Sequence, residues 1–262
     1  MSQIFNLRLA TDTLATDAQL LNVTPAHLQN INIQVSVSII QQPEPQLWFT
    51  YQIQIPYAEL AAQLSWSTWQ QAQCHFTDYL WEDTCLECFI AGSSTDSNEA
   101  TRYIEINASP NGRYALYHFK SYRNQSSLPP LPLLYINKLQ TEKKSRAYIN
   151  WSDNIIEPPL TSKLSPMNTS SLIPVNLKTH SFKPRYCYQR RFGLPISQLP
   201  SYFFNDSFSS SVGIEQLHPC VILRFGEIAL YFASAHVSPP DFHQRSYWPS
   251  FDYQTVMASH KD

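Results

Sequence analysis

Two segments in the first quarter of the chain constrain the fold most. In INIQVSVSI, the apolar residues Ile31, Ile33, Val35, Val37 and Ile39 alternate without a break with Asn32, Gln34, Ser36 and Ser38. LWFTYQIQI repeats the pattern with Leu47, Phe49, Tyr51, Ile53 and Ile55. Successive side chains of a strand point to opposite faces, so period-two alternation of this length marks strands with one face buried. The intervening QQPEPQ has turn composition, so the pair is expected to form a hairpin.

Further strands follow. TCLECFI, RYIEINA and RYALYHF are separated by GSSTDSNEAT and SPNG, and read as a three-strand meander. PCVILRF and EIALYFASAHV flank Gly226 as a second hairpin, and THSFKPRYCYQRRFGLPISQL resumes strand character before the loop FFNDSFSSSVG. Helical periodicity is weak, apart from a short helical turn expected after Pro56 in PYAELAAQLSW. Residues 124–176 are rich in Ser, Pro, Asn and Lys and are expected to be a long irregular insertion or mobile loop. Many short strands with polar linkers predict one domain over 1–262. Its fold class is all-β, an antiparallel two-sheet β-sandwich of immunoglobulin-like or jelly-roll-like type.

Composition narrows the function classes. The net charge is −2 and there is no long basic run, so phosphate neutralisation and nucleic-acid binding are not expected. No apolar run approaches the roughly 18–20 residues that span a membrane. The N-terminus lacks a basic start followed by an apolar core, so a cytoplasmic location is expected. Five cysteines, an odd number, argue for reduced thiols over a disulfide framework. Five glycines leave little material for a phosphate loop, and no G-x-S-x-G elbow occurs.

LWEDTCLECFI, residues 80–90, does not fit a plain core strand. It places a tryptophan, three carboxylates and two cysteines in eleven residues, and burying a charge is costly unless it is paired. With Pro110 and Asn111 as the centre of the SPNG turn, Ser109 pairs with Gly112. Ile106 then faces Ala115 and Ile104 faces Tyr117 on the core side. Asn107 faces Tyr114, Glu105 faces Leu116 and Tyr103 faces His118 on the other. In the preceding strand Leu86 and Ile90 share the core face, leaving Trp81, Asp83, Cys85, Glu87 and Phe89 opposite. Carboxylates and an amide among aromatics are what a small-molecule site needs. The same pattern also fits a wet outer face, where acidic and aromatic residues pair across strands. A one-residue slip would overturn the assignment.

The block LWEDTCLECFIA…YIEINASPNGRYALYHFKSYR resembles the central part of bacterial DOMON-like domains, which are related to family-9 carbohydrate-binding modules. The matching positions are Leu80, Trp81, Thr84, Cys85 and Glu87, then Glu105, Asn107, Ser109 and Pro110. YFASAHVSPPDFHQR is similar to the family's ending through Phe232, Ala233, Ala235, His236, Pro240, Asp241, Phe242 and His243. The strong resemblance covers roughly 30–40 residues, the N-terminal strands match only in pattern, and the two separated motifs stand in the family's order, which makes the match specific. It implies a sandwich that holds a sugar or haem between a sheet face and loops, with Trp81 and Glu87 at the spacing of sugar-contacting residues. The second stacking tryptophan has no match, and Phe232, Tyr247 or Trp248 are the available substitutes. Met1, Met167 and Met257 are poorly placed as haem ligands.

The expected function is therefore non-catalytic binding of a small ligand, a saccharide, by Trp81, Glu87, Tyr103, Glu105, Asn107 and Tyr114, closed by His236, Asp241 and His243. Alternatives are a glycoside-acting enzyme using Glu87 and Glu105, a haem-binding domain and a protein-interaction module. Hydrolysis would need two carboxyls about 5–9 Å apart, and calcium would need several oxygen ligands. C-x-x-C at Cys85 and Cys88 lacks a second pair for zinc, and on a strand the two thiols point to opposite faces. No cofactor or metal is expected. His236, Asp241 and His243 also fit a duller reading, in which Asp241 caps a turn and the histidines bond backbone.

Overall fold

After β1 (Gln3–Leu9) and two short helices, α1 (Leu14–Leu20) and α2 (Pro25–Gln29), the two alternating segments form β2 (Asn32–Ile40) and β3 (Gln46–Ile55). They pair antiparallel, with Ile33 opposite Ile53 and Ile39 opposite Leu47. The apolar set is fully buried and the polar set is not. The short helix expected after Pro56 is α3 (Ala58–Ala61). β4 (Cys85–Gly92), β5 (Tyr103–Ala108) and β6 (Tyr114–Phe119) are the meander. β7 (Leu134–Ile136), β8 (Lys144–Arg146) and β9 (Asn150–Trp151) follow, then β10 (Tyr186–Pro195). The hairpin around Gly226 is β11 (Ile214–Phe225) and β12 (Ile228–Ala233), and α4 (Tyr253–Ala258) ends the described chain. This computed structural model describes residues 2–92, 101–123, 127–136, 144–158, 186–204 and 213–258. The expected loop FFNDSFSSSVG lies largely outside them.

The strands form a large curled antiparallel sheet in the order β6-β5-β4-β11-β12-β1-β2-β3-β10-β9, with β7 and β8 as a small separate pair. β1 joins the two halves of the large sheet. Gln3–Leu7 pair with β2, whereas Arg8 and Leu9 pair with β12. The mostly β, antiparallel expectation holds, but the large strands run in one continuous ladder where two sheets were expected. The halves share one core, to which Phe49 and Ile53 contribute from β3 and Leu86, Ile90 and Ile106 from β4 and β5. Tyr51 on β3 crosses that core and donates to the Glu87 carbonyl at 2.6 Å. Tyr51→Phe is expected to cost about 1–2 kcal/mol in urea unfolding, because a buried acceptor loses its donor. A loss within error would show that this bond does not hold the halves together.

The segment 124–176 is not wholly irregular. It carries β7, β8 and β9, and β9 extends the large sheet by pairing with β10. The remainder, except 127–136 and 144–158, lies outside the described residues. All five cysteines are free thiols. Among the described residues no helix is long and apolar enough to cross a membrane.

The SPNG turn departs from the expected register. Ser109 faces Arg113, not Gly112: the Ser109 N–H donates to the Arg113 carbonyl at 2.8 Å, and the Gly112 N–H to the Ser109 carbonyl at 3.0 Å. Gly112 takes φ +112°, a conformation that favours glycine and admits a third loop residue. β4 and β5 keep their expected faces, but β6 slips by one. Asn107 faces Ala115, Glu105 faces Tyr117 and Tyr103 faces Phe119. Tyr114, expected beside Asn107, therefore packs against the main core, while Leu116 joins that core outright.

Candidate functional site

The face of β4 and β5 away from the main core is covered rather than wet. Glu87, Glu105 and Asn107 are 3%, 5% and 0% exposed. A second apolar cluster buries them, built from Cys85 and Phe89 on β4, Tyr103 on β5, and Tyr117 and Phe119 on β6. Phe242 and Trp248 from the C-terminal segment lie over it. The residues needed to cover an otherwise wet face thus come from a segment about 150 residues downstream of β4.

Between this face and its cover lies a pocket of about 310 Å³. Glu87, Phe89, Glu105 and Phe119 line its floor, with Ile222 of β11 and Tyr231 of β12 beside them. Trp81 forms one wall. It comes from a 3-10 turn, Leu80–Glu82, and not from the strand itself. Arg123, Leu128 and Pro130 form a second wall, and Pro240–His243 a third. The volume sits at the small end of ligand pockets, and the mix of aromatic walls with a few polar groups is what such sites share.

The polar groups form two connected sets. In the first, Asn107 Nδ2 donates to Glu105 Oε1 at 2.7 Å, and the Cys85 thiol donates to Asn107 Oδ1 at 3.8 Å. Glu87 stands opposite Asn107 across the β4–β5 ladder, and its Oε1 is buried with no hydrogen-bond partner among the described residues. Burial, and then the neighbouring Glu105, push the Glu87 carboxyl well above the usual carboxylate range. Burial raises Glu105 to about 7, although Asn107 and Arg123 act the other way. Burial therefore favours the protonated form of Glu87, while Glu105 changes charge near neutral pH.

In the second set, Asp241 accepts from Arg123 Nη2 at 2.8 Å, from Arg123 Nε at 3.4 Å and from the His243 N–H at 2.9 Å. The Tyr122 hydroxyl also donates to it. Burial would raise the Asp241 pKa, but these donors outweigh it and hold the carboxylate below its usual range. The Tyr103 hydroxyl lies 2.8 Å from His243 Nδ1 and accepts from the Arg123 N–H at 3.2 Å. Nε2 faces Glu105 Oε2 at 3.8 Å. This is a contact and not an ion pair, because burial, aided by Arg123, lowers His243 to about 4 and leaves the ring neutral.

The structure brings Trp81, Glu87, Glu105, Asp241 and His243 to the pocket itself. Tyr103 and Asn107 stand behind it, bonded to His243 and Glu105. Two expected residues lie elsewhere. Tyr114 faces the main core because of the register slip. His236 does not line the pocket: its Nε2 bonds the Arg8 carbonyl at 2.7 Å, as the duller reading had it. Asp83, expected on the same face, is exposed and meets Arg113 at 3.4 Å. Of the substitutes for a second stacking aromatic, Phe232 is in the main core, Trp248 is covered and Tyr247 lies outside the lining. Phe119, Tyr231 and Phe242 are further aromatics in the lining. Sequence reasoning missed Phe119, Arg123 and Tyr231. A correct register at SPNG would have found Phe119, since it pairs with Tyr103.

Cys85 and Cys88 do point to opposite faces, one into each cluster. Among the described residues no group of three or more His, Cys, Asp or Glu could hold a metal. The imidazole that lines the pocket, His243, has Nδ1 engaged by Tyr103 and Nε2 facing Glu105, and Met257 is bonded to Gln41 beside the main core. No family model matches the chain, and no curated protein or solved structure is similar to it.

Proposed function

We propose that the pocket binds a small polyhydroxylated ligand, a saccharide of one or two rings, without chemical turnover. The observation that carries this reading is the burial of Glu87 and Glu105 on an aromatic-lined floor, with Glu87 Oε1 lacking a partner. Sugar hydroxyls both donate and accept, so they suit carboxyls, an amide and an imidazole together. The apolar faces of a sugar ring suit Trp81, Phe119 and Phe242. The resemblance to DOMON-like and family-9 carbohydrate-binding domains points the same way, and with it we infer that the two halves of the curled sheet stack as the layers of a sandwich.

Hydrolysis is the weaker reading of the same carboxyls. A glycosidase keeps one carboxyl protonated and the other ionised at its working pH. Here burial pushes both upward, and Arg123, the cation that acts on Glu105, is engaged by Asp241 and leaves that carboxyl at about 7. An acidic face for a protein partner is also disfavoured, because Glu87 and Glu105 are covered.

Calorimetric titration with glucose, galactose, mannose and their disaccharides tests the reading. Binding by the wild type is expected, with about ten-fold loss in Trp81→Ala, equivalent to about 1.4 kcal/mol. Trp81 is only half-buried on a turn, so the variant should fold. No binding of any saccharide, or equal binding by Trp81→Ala, would overturn it.

A further inference from the structure

The polar groups around the pocket are unevenly satisfied. Glu87 and Glu105 are both nearly inaccessible to solvent, and both line the cavity. Arg123 is the one guanidinium in the lining, and it is already held by Asp241 through two hydrogen bonds. That pair also takes the Tyr122 hydroxyl, so its charges close on themselves at the rim. The His243 ring is occupied by Tyr103 at Nδ1, and its burial keeps it neutral. Glu105 Oε1 has the Asn107 amide. Glu87 Oε1 has nothing among the described residues. An unpartnered, buried carboxyl oxygen is costly, and the Cys85 thiol that interacts with the Glu87 carboxyl is a weak donor.

The walls point to which donor would fit. Trp81, Phe89, Phe119 and Phe242 surround the carboxyls. Aromatic faces are negative and attract cations, most strongly where water is excluded. A protonated amine would bring hydrogen-bond donors to Glu87, a countercharge to both glutamates and a partner to the rings. A neutral hydroxyl would bring only the first.

We propose that the ligand carries a free, protonated amino group, seated against Glu87 and Glu105 between the aromatic walls. The inference rests on the pocket being a saccharide site, so the ligand class it names is an amino sugar with an unsubstituted amine. Glu87 accepts from the ammonium, and Glu105, drawn to its ionised form by the ammonium, supplies the second negative charge through Oε2, which in the structure faces His243 Nε2 at 3.8 Å. The Arg123–Asp241 pair stays at the rim and takes no part in recognising the amine.

Titration calorimetry of the wild type with glucosamine, galactosamine and mannosamine, each beside its neutral parent and its N-acetyl form, tests this. The expected result is at least about ten-fold tighter binding of one free amine than of its two neutral counterparts, the size of one good charge-assisted contact. Glu87→Gln, which keeps the shape, is expected to abolish the preference while leaving weak binding of the neutral parent. Neutral sugars binding as tightly as the amines would overturn the inference and leave the saccharide reading standing. No sugar binding at all would overturn both. A preference that survives in Glu87→Gln would also overturn the assignment of the amine to Glu87.

Discussion

Arg190→Ala is expected to destabilise the fold by about 3–5 kcal/mol in urea unfolding, the cost of breaking a buried ion pair from one side. Arg190 is a fully buried arginine on β10. Its Nε donates to the Pro110 carbonyl at 2.6 Å and its Nη1 to the Gln189 carbonyl at 2.8 Å, while Nη2 is paired with Glu157. The guanidinium also lies over the Trp66 ring at 5.1 Å. Alanine removes all of these and leaves a cavity. Glu157 is partly exposed, so Glu157→Gln should cost less, because water can take up part of the loss. The bond to Pro110 matters for the site. It ties β10 to the turn that sets the β5–β6 register, and that register puts Phe119 on the pocket floor. A loss below about 1 kcal/mol would mean that Arg190 does not hold this turn.

Replacing both Glu87 and Glu105 by glutamine is expected to stabilise the chain at pH 8 by a few kcal/mol and to change little at pH 5, since each pKa unit corresponds to roughly 1.4 kcal/mol. The sign follows from the folded values lying above the unfolded carboxylate value of 4.5, with Glu105 at about 7. Such groups stabilise the fold below the unfolded value, and that contribution is lost as pH rises through the folded value. Glutamine keeps the shape of the protonated acid and has no charge to desolvate. His218 and His243 act in the opposite sense. Burial lowers them to about 3 and about 4, so their contribution is lost as pH falls below 6.5. Both proteins share that loss, and it cancels in the comparison. Urea unfolding at the two pH values measures the difference. An equal effect at both would mean that burial does not hold the glutamates protonated.

What the sequence reveals about this fold depends on unbroken period two. The β2–β3 hairpin, the hairpin at Gly226, and the faces of β4 and β5 could all be read from alternation alone. β1 was not foreseen, although Phe5 and Leu7 are buried on one face, because the exposed Ile4 puts an apolar residue on the other face and blurs the alternation. β6 was misplaced by one residue, because Gly112 permits a three-residue loop where a two-residue turn was expected. The floor carboxyls were legible as polar residues of one parity in apolar strands. The walls were not. Arg123 meets Asp241 from 118 positions away, and no local pattern encodes such a meeting. Leu128 and Pro130 sit in a stretch whose composition reads as loop, which conceals that part of it packs over the site.

If the covered face of β4 and β5 is a saccharide pocket, sugar binding changes the surroundings of the Trp81 indole. The most direct measurement is a two-dimensional 1H–15N spectrum of the tryptophan indoles during titration with the monosaccharide panel. The chain has six tryptophans, so Trp81 can be assigned by its loss in Trp81→Phe. A saturable shift is expected at Trp81, with Trp48 and Trp69 unmoved. No saturable shift with any saccharide, or one confined to tryptophans away from the pocket, would contradict it.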